Sequence, residues 1–241
     1  MPDPEPTPPP TPSPVVKKQT RGVINQADAK DLNETEQVVT AAQSAAYAAP
    51  LATRGITSAM VTTLDTDVVQ CRKDAAKAAQ ADFYAQKKTK LEAAAKTTLL
   101  DAFRYFQNAA RAKFPTDRDT QQQFFIGQDL AGANRQTLET YCAGLIEKLA
   151  TEPLTSKGVT AGEISAFPGK LEAWQDADTD QGNAQGAAES LRTTVDTALT
   201  SIKARRTEIR LAVNLQWPHT DPANNPTRKA FGLPPGKPYN G

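Results

Sequence analysis

A single histidine, His219, and two cysteines, Cys71 and Cys142, bound the chemistry open to this 241-residue chain. A Ser/His/Asp or Cys/His machine needs an imidazole base and would have to pass through His219. That residue stands between Pro218 and Thr220, where a helical pattern ends, which is the place of a turn residue near a helix C-terminus. One imidazole and two separated thiols fall short of the usual nitrogen and sulfur ligands of zinc. Asp176, Asp178, Asp180 and Gly182 resemble the opening of a calcium loop. Such a loop wants glycine sixth and a bidentate Glu twelfth, and those positions hold Gln181 and Ala187. The stretch therefore reads as a solvated polar break. Asn33-Glu34-Thr35 matches the glycosylation triplet, which matters only in a secretory pathway. The sequence contains no phosphate-binding loop or dinucleotide fingerprint. No residue is assigned as catalytic, cofactor-binding or metal-binding, no cofactor is expected, and an enzyme is the least favoured class.

The remaining candidates concern partners. Residues 1–14 hold eight of the 18 prolines, an arm expected to be extended and polyproline-like. Its PxxP spacings suit either a bare spacer or an SH3-like groove on a protein partner. Lys17, Lys18 and Arg21 form a basic cluster beside it, too small for nucleic acid without aromatic stacking partners. Across the chain 28 basic residues face 27 acidic ones, so no field favours nucleic acid or an anionic membrane. No apolar run reaches the length of a membrane span, and the start MPDPEPTPPP is unlike a signal peptide. The compartment stays open. Both cysteines fall on apolar helical stripes and read as small buried hydrophobes.

The elements behind these residues come in two copies. Placing each residue on the one 103 positions later pairs Pro50 with Pro153, Gly55 with Gly158, Thr57 with Thr160, Leu64 with Phe167 and Cys71 with Trp174. The register continues through Leu99/Ile202 and Phe106/Ile209 to Phe114-Pro115 against Trp217-Pro218. Prolines and glycines are too sparse for this to be chance, so the sequence implies a tandem duplication. Each mark has a mechanical role. Pro50 and Pro153 are expected to stop first helices spanning about 27–49 and 130–151. Gly55 and Gly158 permit tight turns. Thr57 and Thr160 are N-caps with hydrophobic staples Ile56/Val61 and Val159/Ile164, and Glu163 completes a capping box.

No glycine or proline interrupts 57–114, so that stretch could run as one helix of roughly 85 Å. The apolar stripe changes face midway, from Val61/Leu64/Val68/Cys71 to Leu91/Leu99/Phe106, and the second copy repeats the switch. Either the long helix packs first on its own short partner and later on another segment, or it breaks into two antiparallel helices near 80–88 and 176–187. The helix-forming run RKDAAKAAQADFYAQKKTK favours continuity. The tail from Trp217 holds six more prolines and must lie on a surface, with Phe231 and Leu233 suggesting that part of it docks.

Each long helix is followed by a box. The first is Pro115-Thr116-Asp117 with Phe125-Ile126-Gly127. The second is Thr220-Asp221 with Arg228, Phe231, Gly232 and Leu233. With the alanine-rich helices, these boxes resemble a loose group of bacterial alanine-rich helical-repeat proteins whose units end in Thr-Asp, a later Arg and Leu-Gly-Leu. The resemblance implies a helical fold and no assigned activity. The first copy departs from it, with Gln121-Gln122-Gln123 in place of the spaced Arg, which implies a different mode of docking.

The chain is thus expected to be all-α. A duplicated short-helix/long-helix unit would form an elongated bundle, divided into an arm (1–24), repeat 1 (25–127), repeat 2 (128–217) and a tail (218–241). A thin duplicated core, balanced charge and proline-rich ends favour a non-enzymatic scaffold that self-associates through helix faces and arms. A ligand-binding or adaptor bundle, with a groove where the stripes switch, is the alternative.

Overall fold

A computed structural model describes residues 23–239. The chain forms seven α-helices there and no strand among the described residues. They are α1 (Gln26–Gln43), α2 (Ala45–Ala52), α3 (Ser58–Lys113), α4 (Arg118–Gln123), α5 (Arg135–Thr151), α6 (Ala161–Gln216) and α7 (Asn225–Ala230). No helix among the described residues is long and apolar enough to cross a membrane.

The frame is the pair α3 and α6. Each is a continuous helix of 56 residues, about 84 Å long at 1.5 Å per residue, so the antiparallel break near 80–88 and 176–187 does not occur. Thr57 and Thr160 cap them through bonds from Met60 N and Glu163 N, and the capping box at Thr160 is complete. Gly55 and Gly158 precede the caps at φ +86° and +87°, a left-handed conformation open to glycine without a Cβ penalty. Pro168 lies inside α6, where it removes the bond to the Ile164 carbonyl, but its place on the solvent face lets water satisfy that oxygen.

The long helices run antiparallel, as shown by the ion pairs Asp67 with Arg205, Asp82 with Arg192 and Lys88 with Asp180. At their middle Ala81 and Ala85 meet Ala184 and Ala188, the residues 103 positions later. Only methyl groups separate the helices at this waist, so the axes can approach to the short end of the 8–10 Å range.

Two cores flank the waist. The first joins Leu32, Val38 and Val39 of α1, Leu51 of α2, the first half of α3 and Val195–Val213 of α6, closed by Phe231 and Leu233 of the tail. The second joins the latter half of α3, Phe124, Leu138–Leu149 of α5, and Phe167 and Trp174 of α6. Each long helix therefore spends one half in each core, which explains the change of apolar face along it. Each core also draws on both 103-residue segments.

The short elements differ from the expectation in detail. The first helix breaks at Ser44 (φ −65°, ψ +136°), and Pro50 sits inside α2 instead of ending a helix. A one-turn-deep proline is tolerated because little of α2 precedes it. The second short helix starts at Arg135, with Asn134 as its cap, so residues 130–134 are loop. Both boxes close with a Schellman motif. Phe231, Gly232 and Leu233 end α7, with Leu233 N bonding Arg228 O and Gly232 N bonding Lys229 O. Phe124, Phe125 and Ile126 end α4 with the same two bonds, to Gln121 and Gln122. The true structural register of the boxes thus sets Phe125 against Gly232 and Gln121 against Arg228.

Candidate functional site

The position shared by Gln121 and Arg228 has a common task. Gln121 Nε2 donates to Phe114 O at 2.6 Å, and Arg228 Nη1 donates to Trp217 O at 2.9 Å; both acceptors are the C-cap carbonyls of the long helices. The first box therefore docks in the same way as the second, with a neutral amide in place of a guanidinium. Arg228 is fully buried and also reaches Asn214 Oδ1, Pro234 O and Lys237 O. Burial pulls its pKa down, and its carbonyl partners mark it as a structural clamp.

The second core end carries an open groove. The groove, of about 630 Å³, runs between the second half of α3 and the first turns of α6, with Ala102, Tyr105, Phe106, Gly162 and Ala166 forming its apolar wall. Thr160 and Glu163 border it through the capping box, and Asp101 and Lys170 stand at its waist-ward end. Tyr105 is 40% exposed and lies 3.3 Å from Gly158 O and 3.3 Å from Glu163 Oε2. Partial burial, and then the Glu163 carboxylate, push the Tyr105 hydroxyl above its usual pKa. Bonds from the Thr160 backbone and hydroxyl hold Glu163 below the usual carboxylate range. Tyr105 is thus a neutral aromatic rim and Glu163 an anion at neutral pH.

The equivalent place at the other end is different. A smaller groove of about 330 Å³ is lined by Ala59, Met60, Thr63, Arg205 and Glu208. These residues stand 103 positions from Gly162, Glu163, Ala166, Ala102 and Tyr105 respectively. There Arg205 bridges to Asp67, whose counterpart is Lys170. The Arg205–Asp67 pair stands between that groove and a further one of about 490 Å³ beside Cys71 and Thr197, whereas Ala102 and Ala166 leave one continuous groove bordered by Tyr105.

The residues singled out from sequence lie elsewhere. His219 sits half-buried in a turn just after α6. Asp176, Asp178 and Asp180 lie in uninterrupted helix, where 100° per residue spreads them around the axis. Asp178 pairs with Arg135 and Asp180 with Lys88, so the stretch is neither a calcium loop nor a break. No metal-holding group of three His, Cys, Asp or Glu occurs among the described residues. Thr35 of the glycosylation triplet is fully buried in α1, and its hydroxyl donates to Asp31 O at 2.7 Å. Cys71 and Cys142 are buried thiols, one in each core. Burial raises the Cys71 pKa and pushes that of Cys142 up to about 12. The PxxP arm, Lys17, Lys18 and Arg21 lie outside the described residues.

Sequence reasoning missed the groove because it attended to matched positions. The signal lies in the mismatches: Tyr105 for Glu208, Ala102 for Arg205, Lys170 for Asp67. Comparison with protein-family models, with curated proteins and with solved structures finds no match to this chain.

Proposed function

We propose that the chain is a non-enzymatic structural subunit that self-associates through its helix faces and its proline-rich arm, as in a filament, lattice or shell. The observation that carries this reading is the waist of α3. Phe83 is 73% exposed, Tyr84 51% and Leu91 49%, on a stretch that neither core covers. A large aromatic left in water forgoes roughly 1.5–3 kcal/mol of burial, a loss that a second copy would remove. The equal long helices, starting 103 residues apart, support descent from a duplicated unit. Such a pair gives any assembly a rigid spacer. Light scattering after size exclusion, followed by negative-stain microscopy, tests the reading. Regular assemblies that disappear in Phe83→Ser/Tyr84→Ser support it, and a monomer at every concentration overturns it.

A second reading, an adaptor bundle, draws on the open groove beside Tyr105. It predicts a stable monomer that binds an extended peptide there.

A further inference from the structure

We infer that the outer face of the α3 waist packs on the outer face of the α6 waist of a second copy of this chain, so that molecules stack side by side through unlike faces. The inference rests on the scaffold reading and names the two surfaces that meet.

Three observations carry it. The first is shape. The waist is the stretch that neither core covers, residues 79–94 of α3 and 175–190 of α6. Phe83 lies two residues from both Ala81 and Ala85, and Gly186 two residues from both Ala184 and Ala188. At 100° per residue each points away from the helix that those alanines meet. These two are counterparts, 103 positions apart, and they lead opposite kinds of surface. Exposed Phe83, Tyr84 and Leu91 make one face bulky and apolar. The stripe through Gly186 holds Thr179, Gly182, Asn183 and Ser190, all exposed and small. A Cβ at Gly182 or Gly186 would meet nothing within 4 Å among the described residues. Glycine inside a helix weakens it relative to alanine, and nothing in this fold uses the space. A stack uses it, with the rings of one copy seated above the glycines of the next.

The second is charge, which selects the occupant. In 79–94 Lys87, Lys88 and Lys90 stand against Asp82 and Glu92, and those two carboxylates turn inward to Arg192 and the Trp174 indole. In 175–192 Asp176, Asp178, Asp180 and Glu189 stand against Arg192 alone. The next turns keep both signs. Arg72, Lys73, Lys77 and Lys96 outnumber Asp74 on α3, and Glu172 and Asp196 outnumber Lys170 on α6. Two α3 faces laid together would set Lys87 and Lys90 against themselves, and two α6 faces would oppose their carboxylates. Only unlike faces attract.

The third is register. Within the chain Lys88 meets Asp180 and Gln181 meets Thr89, which fixes the level of the two helices along the rod. Copies laid parallel without a slide would bring Phe83 and Tyr84 level with Ala187 and Gly186 of the neighbour. Lys90 would then lie level with Asp180, and Lys87 roughly 5 Å from that level. The new contact repeats the antiparallel α3/α6 pairing of the chain itself. It leaves one face of each kind open at the ends, so the stack grows without closing.

The test uses the full chain and three variants at exposed helix positions: Lys87→Glu/Lys90→Glu, Asp176→Lys/Asn183→Lys and Gly182→Gln/Gly186→Gln. Circular dichroism should show all of them helical, and the glycine pair should melt no lower than the parent. In light scattering each variant alone should need about tenfold more protein or more to assemble, and assembly of the parent should weaken as salt rises. An equimolar mixture of the two charge-reversed variants should restore assembly, since each then meets an opposite face. A parent that assembles while both α6 variants assemble equally well, or a mixture that restores nothing, overturns the inference and leaves the scaffold reading standing. A parent that stays monomeric overturns both. So does a monomer that sediments with vesicles of equal parts phosphatidylcholine and phosphatidylserine, where the aromatic, basic face would serve a lipid surface.

Discussion

The two ends of the molecule solve one packing problem in different ways. At the first end a short helix is fastened by charge: Asp28 and Asp31 meet Lys203, Asp31 and Glu34 meet Arg206, and Glu34 meets Arg210. At the second end rings predominate, beside the pairs Arg135 with Asp178 and Lys113 with Glu152. Phe167 packs edge-on to Phe103 and Phe106 with centroids at 6.0 and 5.4 Å, and Phe125 reaches Phe103 and Tyr141 at 6.1 and 5.0 Å. The caps, left-handed glycines and Schellman motifs are shared, so helix bounds and chain path do not depend on which chemistry fills the ends. Both ends carry grooves, divided at the first by the Arg205–Asp67 pair and continuous at the second beside Tyr105.

The largest expected effect comes from cutting the aromatic end. Phe167→Ala should lower stability by about 3–5 kcal/mol, and Leu64→Ala, its counterpart at the other end, by about 2–5 kcal/mol. Because both cores share α3 and α6, each variant should still unfold in one transition in a urea melt. Two separated transitions would mean that the ends are independent domains and would break the comparison.

The clamps sharpen it next. Arg228→Ala removes a fully buried side chain and strands three part-buried carbonyls, and should lower stability by about 3 kcal/mol, against about 1 kcal/mol for Gln121→Ala, whose bond is to a single one. Equal losses in denaturant melts would show that the charge of Arg228 does not matter.

The left-handed position after each clamp gives a smaller and more specific test. Gly232 has φ +66°, and a Cβ there would meet Arg210 Nη2 at 2.7 Å. Its counterpart Phe125 accepts φ +56° because the residue facing it is Gln107, which bonds Phe124 O and Phe125 O without extending to the Cβ. The Phe125 ring in turn fills the space above Gly144, where a Cβ would meet Cζ at 2.6 Å. Gly232→Ala should therefore cost about 1–2 kcal/mol. Gly144→Ala should destabilise the parent but stabilise a Phe125→Ala background by about 0.5–1 kcal/mol, the usual gain for a mid-helix glycine. A thermal-melt cycle showing the same sign in both backgrounds would sever Gly144 from Phe125.

Much of the frame was legible because punctuation is local. Thr57, Thr160, Gly55 and Gly158 act through their own backbones, so sequence sufficed to place the starts of both long helices. The continuity of those helices followed from composition, and the change of apolar face announced that each would meet two partners. What stayed hidden depends on tertiary register. Pro50 reads as a stop until Ser44 is seen to break the chain first. In space the boxes align by Phe125 and Gly232, a match hidden in sequence because a non-glycine residue adopts positive φ only where its neighbours leave room. The groove was invisible for a related reason: Ala102 and Ala166 look like ordinary helix formers until the Arg205–Asp67 pair at the other end is known.

The thiols provide a further check on the cores. With burial pushing Cys142 up to about 12, its thiolate is scarce at neutral pH, and Cys71 is shifted the same way. Neither should react with a maleimide at pH 7.5 in the folded chain on the timescale of minutes, and both should react in urea. Rapid labelling of Cys142 alone would indicate that the aromatic end opens more readily than the charged one.

The smallest expected effect is acid sensitivity, and it should fall on the charged end. Burial raises the Asp31 pKa, but bonds from Lys203 and Arg206 outweigh it and leave the carboxyl below its ordinary 3.8. A group depressed in the folded state contributes stability that is complete above its unfolded pKa and is lost as pH falls through the folded one. The contribution of Asp31 should therefore be intact at pH 5 and fade below about 4. The Asp31 side chain is 27% exposed and that of Lys203 39%, so solvent screens the network and the loss should stay near or below about 1 kcal/mol. At the aromatic end the ring contacts carry no proton and keep their strength, although Glu139 of α5, held below the usual carboxylate range by bonds from Gln175 and Arg135, and the exposed Glu152 and Glu163 add their own small acid terms. Amide exchange followed between pH 5 and pH 3, and corrected for intrinsic rates, should show α1 losing protection before α5. Asp31→Asn should remove most of that lead. If α5 opens first, the ion pairs along α1 are ornamental and the charged end is held by Leu32, Val38 and Val39 alone.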